Sequence, residues 1–279
     1  IPGGAPDRTR RLCVRRPGGD LGEPFMLRCL QSLTLIGALL VPAFAHGPLH
    51  ERIQQLSAAL EQTPGDAALL EERGELFRLH GLFSEARLDW TKVATLRPDD
   101  VTNHLRLGLV ALGLGETNEA IDRLERFVTA RPSSITGQLT LAEALAAAGR
   151  PADAVPHWTT AIRLTDDPRP EWYLDRARAA RSGGLAVDTV LAGLDEGIDR
   201  HGPLPALQLL AVELETGRGN LDAALQRIAA IADRAERKER WLLRRGDILL
   251  AAGRTNEARL EFQAARKALD QLPDKVRRG

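Results

Sequence analysis

From residue 51 to residue 272 the apolar positions recur at steps of three and four, in blocks that end on glycine or proline. That step is the period of a helix with one buried face. In "AALLEERGELFRLHGLFSEARLDWTKVATLRPDD" the residues Leu70, Gly74 and Phe77 mark one face of a first predicted helix. Gly81 closes that helix, as a residue tolerant of left-handed backbone does. Phe83, Ala86, Trp90 and Val93 form the inner stripe of a second helix, and Pro98 stops it. Two small positions, Gly74 and Ala86, imply that the paired helices approach closely, and Trp90 reads as core. Upstream, "LHERIQQLSAALEQTPGD" carries one such stripe, Ile53, Leu56 and Leu60, with Pro64 at its stop.

The pattern repeats. Gly81, Gly115 and Gly149 are 34 residues apart, as are Ala86, Ala120 and Ala154, and Trp90, Leu124 and Trp158. Pro64, Pro98 and Pro132 keep the same step, and Gly219 and Gly253 resume it. A fixed period in four separate columns is the signature of a repeat architecture. The units are residues 67–100, 101–134, 135–168, 169–204, 205–238 and 239–272, preceded by a half-unit at 49–66. The fourth is the poorest copy, with Gly183 and Gly184 at its turn, a displaced small-residue column and two extra residues in the frame.

Taken with Leu107, Gly108 and Pro132 in the second unit, Leu141, Ala142 and Trp158 in the third, and Gly246, Ala258 and Phe262 in the sixth, these columns resemble the tetratricopeptide repeat. The resemblance implies an all-α, right-handed solenoid of helix-turn-helix repeats with about 13 helices. It also implies a non-catalytic scaffold that binds a protein or peptide along its concave groove, which the first helices of successive units line. At the family's fifth position this chain has Glu71, Leu105, Leu139, Tyr173, Leu209 and Leu243. At the ninth it has Glu75, Leu109, Glu143, Ala177, Glu213 and Asp247. The groove is therefore expected to be apolar along one row and acidic along the next, suiting a segment with apolar anchors and some basic residues. The fifth-position leucines either line it or pack partly within the repeat. A clamp for a terminal carboxylate, as chaperone-binding relatives possess, finds Arg240 and Arg244 in place but Tyr173, Ala177 and Leu210 elsewhere, and is not supported. The cluster "DRAERKERWLLRR" reads as a solvated helix junction offset by Glu236 and Glu239, with an anionic patch on a partner as the alternative.

The first 45 residues follow a different rule. Met26 is the sole methionine; after it come Arg28, an uncharged apolar run from Leu30 to Ala45, and a closing "AFA". Cation, apolar middle and small residues at the end are the order of a secretory signal peptide. Residues 26–45 are thus expected to direct export to the periplasm and be cut off after Ala45; an uncleaved membrane anchor at 30–45 is the alternative. Residues 1–25, rich in Gly, Pro and Arg, are expected to be disordered or untranslated upstream sequence.

This division alters the composition. The full chain is neutral, whereas residues 46–279 carry 32 basic and 35 acidic side chains and neither Cys13 nor Cys29. Such a balance argues against nucleic acid as a partner, and no thiol chemistry or disulfide remains. No phosphate loop, zinc helix or nucleophile elbow is present, so neither a cofactor nor a small-molecule substrate is expected. One alternative function survives. A new amino terminus at His46, with His50 as a further nitrogen ligand, would suit copper.

Overall fold

The computed structural model describes residues 47–272. All of its regular structure is helical: α1 (Gly47–Gln62), then the pairs α2 (Ala67–Leu79) and α3 (Phe83–Leu96), α4 (Thr102–Gly113) and α5 (Thr117–Ala130), and α6 (Ile135–Ala147) and α7 (Pro151–Arg163). These continue as α8 (Pro170–Ser182) and α9 (Val187–His201), α10 (Pro205–Gly217) and α11 (Leu221–Arg234), and α12 (Glu239–Ala251) and α13 (Thr255–Asp270). The thirteen described helices are those of an all-α repeat solenoid, in agreement with the sequence reading. None of them is long and apolar enough to cross a membrane.

Each helix packs chiefly on the helices before and after it, and the even-numbered helices of neighbouring pairs also meet, α4 with α6 and α8 with α10. The core is correspondingly linear. One stretch runs from Leu60 to Val110, a second from Ile121 to Ala211 and a third from Val212 to Ala258. Each pair completes its neighbour's core, which is why one unit alone cannot bury its own stripe.

Local chemistry sets the helix ends. Asp66 accepts hydrogen bonds from the Ala68 and Leu69 N–H groups, and Ser134 accepts one from Gly137, satisfying donors that a first turn leaves open. Gly81, the residue after the His80 cap of α2, adopts φ +74°, a conformation that a Cβ would strain. The small positions within helices have a related origin. A Cβ on Gly74 would lie 2.7 Å from Trp90 Nε1, and one on Gly246 would lie 2.3 Å from Phe262 Cε1. Room is therefore kept for a ring of the second helix to lie on the backbone of the first. Trp90 and Trp158 are both buried, as expected of core. A polar contact ties the third unit together: His157 Nδ1 donates to Gln138 Oε1 at 2.7 Å, while Gln138 Nε2 donates to the Pro132 carbonyl. Burial holds the His157 imidazole below the usual histidine range.

Candidate partner-binding groove

The even-numbered helices carry the positions expected to face a partner, and the 34-residue step is broken twice, once on each side of α8. The left-handed glycines Gly149 and Gly184 are 35 residues apart, and so are the helix starts Ile135 and Pro170. One residue is inserted in the connection between α7 and α8. A second enters the turn after α8, because α9 begins three residues beyond Gly184 whereas α7 begins two beyond Gly149. The residue equivalent to Leu139 is consequently Leu174, and the one equivalent to Glu143 is Arg178.

This shift overturns the assignment of Tyr173 to the groove. Its side chain is 1% exposed. It lies where a Cβ on Gly197 would come within 2.8 Å of its ring, with His201 edge-on at 5.8 Å. Ala177, 2% exposed, is likewise core and leaves the ninth-position row.

The first half of the groove is largely self-neutralised. Glu71 pairs with Arg97 at 2.8 Å and with Arg106 at 3.2 Å, and Glu75 pairs with Arg78. Leu105 and Leu139 are half-buried against the core, so the reading in which these leucines pack within the repeat applies to them. Leu109 is half-buried too. Burial and the neighbouring Asp175 push the Glu143 carboxyl above the usual range.

The second half is different. A cavity of about 650 Å³ opens between α8, α10 and α12. Its apolar surface comes from Leu174, Ala206, Leu209, Leu210 and Trp241. Around that surface stand Arg178, Arg181, Arg240 and Arg244, against the single carboxylate of Glu213. Glu213 is bonded to Arg181 at 2.9 Å, and Arg178 has Asp175 at 3.4 Å. Arg240 lies over the Trp241 ring at 4.4 Å. Neither Arg240 nor Arg244 forms an ion pair among the described residues. Leu243 and Asp247 lie exposed on α12. The acidic row expected here is therefore interrupted at Arg178, and the cavity is basic.

Arg178, Arg240 and Arg244 line one cavity together with its apolar side chains. Guanidinium is weakly hydrated and can hold a carboxylate through two parallel hydrogen bonds, so such a site takes anions that carry apolar neighbours. The positions at which a terminal-carboxylate clamp would place lysine and asparagine are Leu174, Arg178 and Leu210, so the arrangement departs from that pattern while sharing its charge. The basic cluster is also more than a solvated junction. Arg237 pairs with the buried Glu239 at 2.6 Å, as the offsetting acids suggested, but Arg240 and Arg244 turn to the cavity. Sequence reasoning missed Leu174, Arg178 and Arg181. The signal that could have found them is Pro170: proline is favoured in the first helical turn, and Pro205, 35 residues on, starts α10 in the same way.

Of the two residues considered for copper, His46 lies outside the described residues. His50 is exposed on α1 with its Nε2 3.2 Å from Gln54 Nε2. Among the described residues no three His, Cys, Asp or Glu side chains gather as a metal site.

Comparison with known proteins places three family profiles on this chain. One described as a tetratricopeptide repeat-like domain matches residues 196–277, and two described as tetratricopeptide repeat match 139–188 and 103–134. The Hsp70-Hsp90 organizing protein of Triticum aestivum is 29% identical over 149 residues, which is 48% of this chain. The chain spans about a quarter of that relative's length. The C-terminal part of a repeat-containing protein from Cytophaga hutchinsonii superposes with a TM-score of 0.64 at 12% identity, covering 81% of this chain and 92% of that one. YrrB, described as having an unusual peptide-binding site, gives 0.55 at 18% identity, covering 65% and 92%. A protein from Parabacteroides merdae gives 0.52 at 19% identity, covering 83% and 90%. At these identities the solved structures speak to the fold.

Proposed function

Because the chain is a tetratricopeptide repeat protein, we propose that it is a non-catalytic scaffold that holds an acidic segment of another protein against the faces of α8, α10 and α12. The observation that carries this reading is the cavity between those helices, where four arginines face one glutamate over an apolar floor. A narrow site lined by one sign of charge concentrates ligands of the other sign and speeds their arrival. The same charge selects against a basic segment, which the acidic groove expected from the sequence would have favoured. The Hsp70-Hsp90 organizing protein and the peptide-binding YrrB support an interaction role of this general kind.

Fluorescence anisotropy with labelled hexaglutamate and hexalysine peptides, both amidated, tests the proposal. Hexaglutamate is expected to bind, and to weaken as ionic strength rises and the Debye length shrinks. Equal or tighter binding of hexalysine would overturn it.

Export belongs to the same proposal and is supported by the order of cation, apolar run and small residues at 26–45. Mass spectrometry of the exported protein should then find His46 at the amino terminus. A product that retains residues 30–45 would favour the anchored alternative.

A further inference from the structure

A second cavity, about 430 Å³, lies beside the first and shares Arg240 and Trp241 with it. It sits between two inter-pair connections, "GPL" after α9 and "AERK" after α11. Its origin is local. Gly202 turns the chain at φ +83° with the Arg234 guanidinium directly against it, where a Cβ would lie 2.4 Å from an Arg234 nitrogen. Pro203 and Leu204 on one connection and Ile231 and Ala235 at the end of α11 then line the space. The resulting walls are mostly apolar, and the volume falls within the roughly 300–1,000 Å³ typical of ligand pockets.

The charged groups around it have unequal freedom. Arg237 is bound to Glu239. Arg234 and Arg240 form no ion pair among the described residues, and Glu236 is the one carboxylate on the cavity wall. The cavity thus has a net positive rim, and one of its cations, Arg240, also belongs to the groove.

We propose that this cavity is an anchor pocket for the partner segment proposed above. The segment's carboxylates lie on Arg240 and Arg244, and an adjacent aliphatic or aromatic side chain passes Trp241 and fills the space beside Leu204. The inference rests on the groove reading and extends it from an acidic partner to an acidic segment with an apolar neighbour. Filling a mostly apolar space with an apolar side chain releases water from both surfaces. Two segments of the sequence outside the described residues are poor occupants by charge. Residues 273–279 bring Lys275, Arg277 and Arg278 against Asp274, and residues 1–25 bring five arginines against three acids.

The test uses the full chain and three fluorescein-labelled, amidated peptides: hexaglutamate, hexaglutamate followed by Gly-Leu, and hexaglutamate preceded by Leu-Gly. Amidation removes the terminal carboxylate, so recognition of a chain end cannot supply the signal. One of the leucine peptides is expected to bind about tenfold tighter than hexaglutamate, consistent with partial burial of a leucine. Ala235→Phe, which fills the cavity without changing charge, should erase that gain and leave hexaglutamate affinity within about twofold of wild type. Should Ala235→Phe lose helicity by circular dichroism, Leu204→Ser supplies the same comparison. A gain absent from both leucine peptides, or one that survives the cavity variants, would overturn the anchor pocket while leaving the groove intact. Failure of hexaglutamate itself to bind would instead remove the groove reading and the anchor with it. A concentration-dependent dimer broken by Ala235→Phe would assign the cavity to a second copy of the chain and also overturn the proposal.

Discussion

Reversing charge at Arg240 and Arg244 together is expected to weaken hexaglutamate binding by roughly thirtyfold, on the order of 1 kcal/mol for each reversed position. These two residues are decisive because neither is bound by a carboxylate of its own, whereas Arg181 is bonded to Glu213 and Arg178 lies near Asp175. An arginine already paired inside the protein gains less from a ligand carboxylate, since one attraction replaces another. Arg240 is also stacked on Trp241, so part of its ordering is complete before a ligand arrives. The double variant Arg240→Glu with Arg244→Glu is compared in anisotropy titrations with Arg259→Glu plus Arg266→Glu on α13, which changes net charge equally on a helix outside the cavity. The control should move affinity less than about threefold, the scale of a long-range charge effect screened by salt. Equal losses in both variants would mean that binding follows net charge, and the groove would lose its role.

Trp90→Ala is expected to lower the unfolding free energy by about 3 kcal/mol, toward the low end for deletion of a buried aromatic. The indole is 1% exposed and lies on the backbone of Gly74, so no larger neighbour stands ready to fill the space. The estimate is kept low because Trp90 Nε1 is buried without a hydrogen-bond partner, and its removal relieves a desolvation cost. The loss should also be local. In a solenoid each unit supports its neighbours, so weakening the first pair should loosen α1 to α4 before α8 to α13. Urea titration read by circular dichroism and by fluorescence of Trp158, Trp172 and Trp241 separates the two events. A loss below about 1 kcal/mol, or one uniform transition shifted as a whole, would contradict the assignment of Trp90 as the keystone of its pair.

Much of this protein was legible from periodicity. The 34-residue step placed the closing glycines, the ring positions Trp90 and Trp158, and the small residues beneath them, because each is imposed by contacts inside one unit or with the next. The groove was harder to read. Its positions were assigned by counting from a frame, and a count carries forward any error at an insertion. One residue between α7 and α8 exchanged the buried Tyr173 and Ala177 for Leu174 and Arg178. In a helix a shift of one residue turns a side chain by about 100°, enough to pass from core to groove.

The sequence by itself determined the fold, since the repeat of apolar, small and turn-forming positions dictates paired helices and their stacking order. It also marked several helix starts, through Asp66, Ser134, Pro170 and Pro205 acting within a few positions of themselves. The tertiary structure alone decided the sign of the cavity between α8, α10 and α12. Arg178, Arg240 and Arg244 come from helices more than sixty residues apart at the extremes, and only stacking of α8, α10 and α12 brings them onto one cavity. Charge at a site is a sum over everything that surrounds it, including the acids that leave to pair elsewhere, and no local pattern along a chain records that sum.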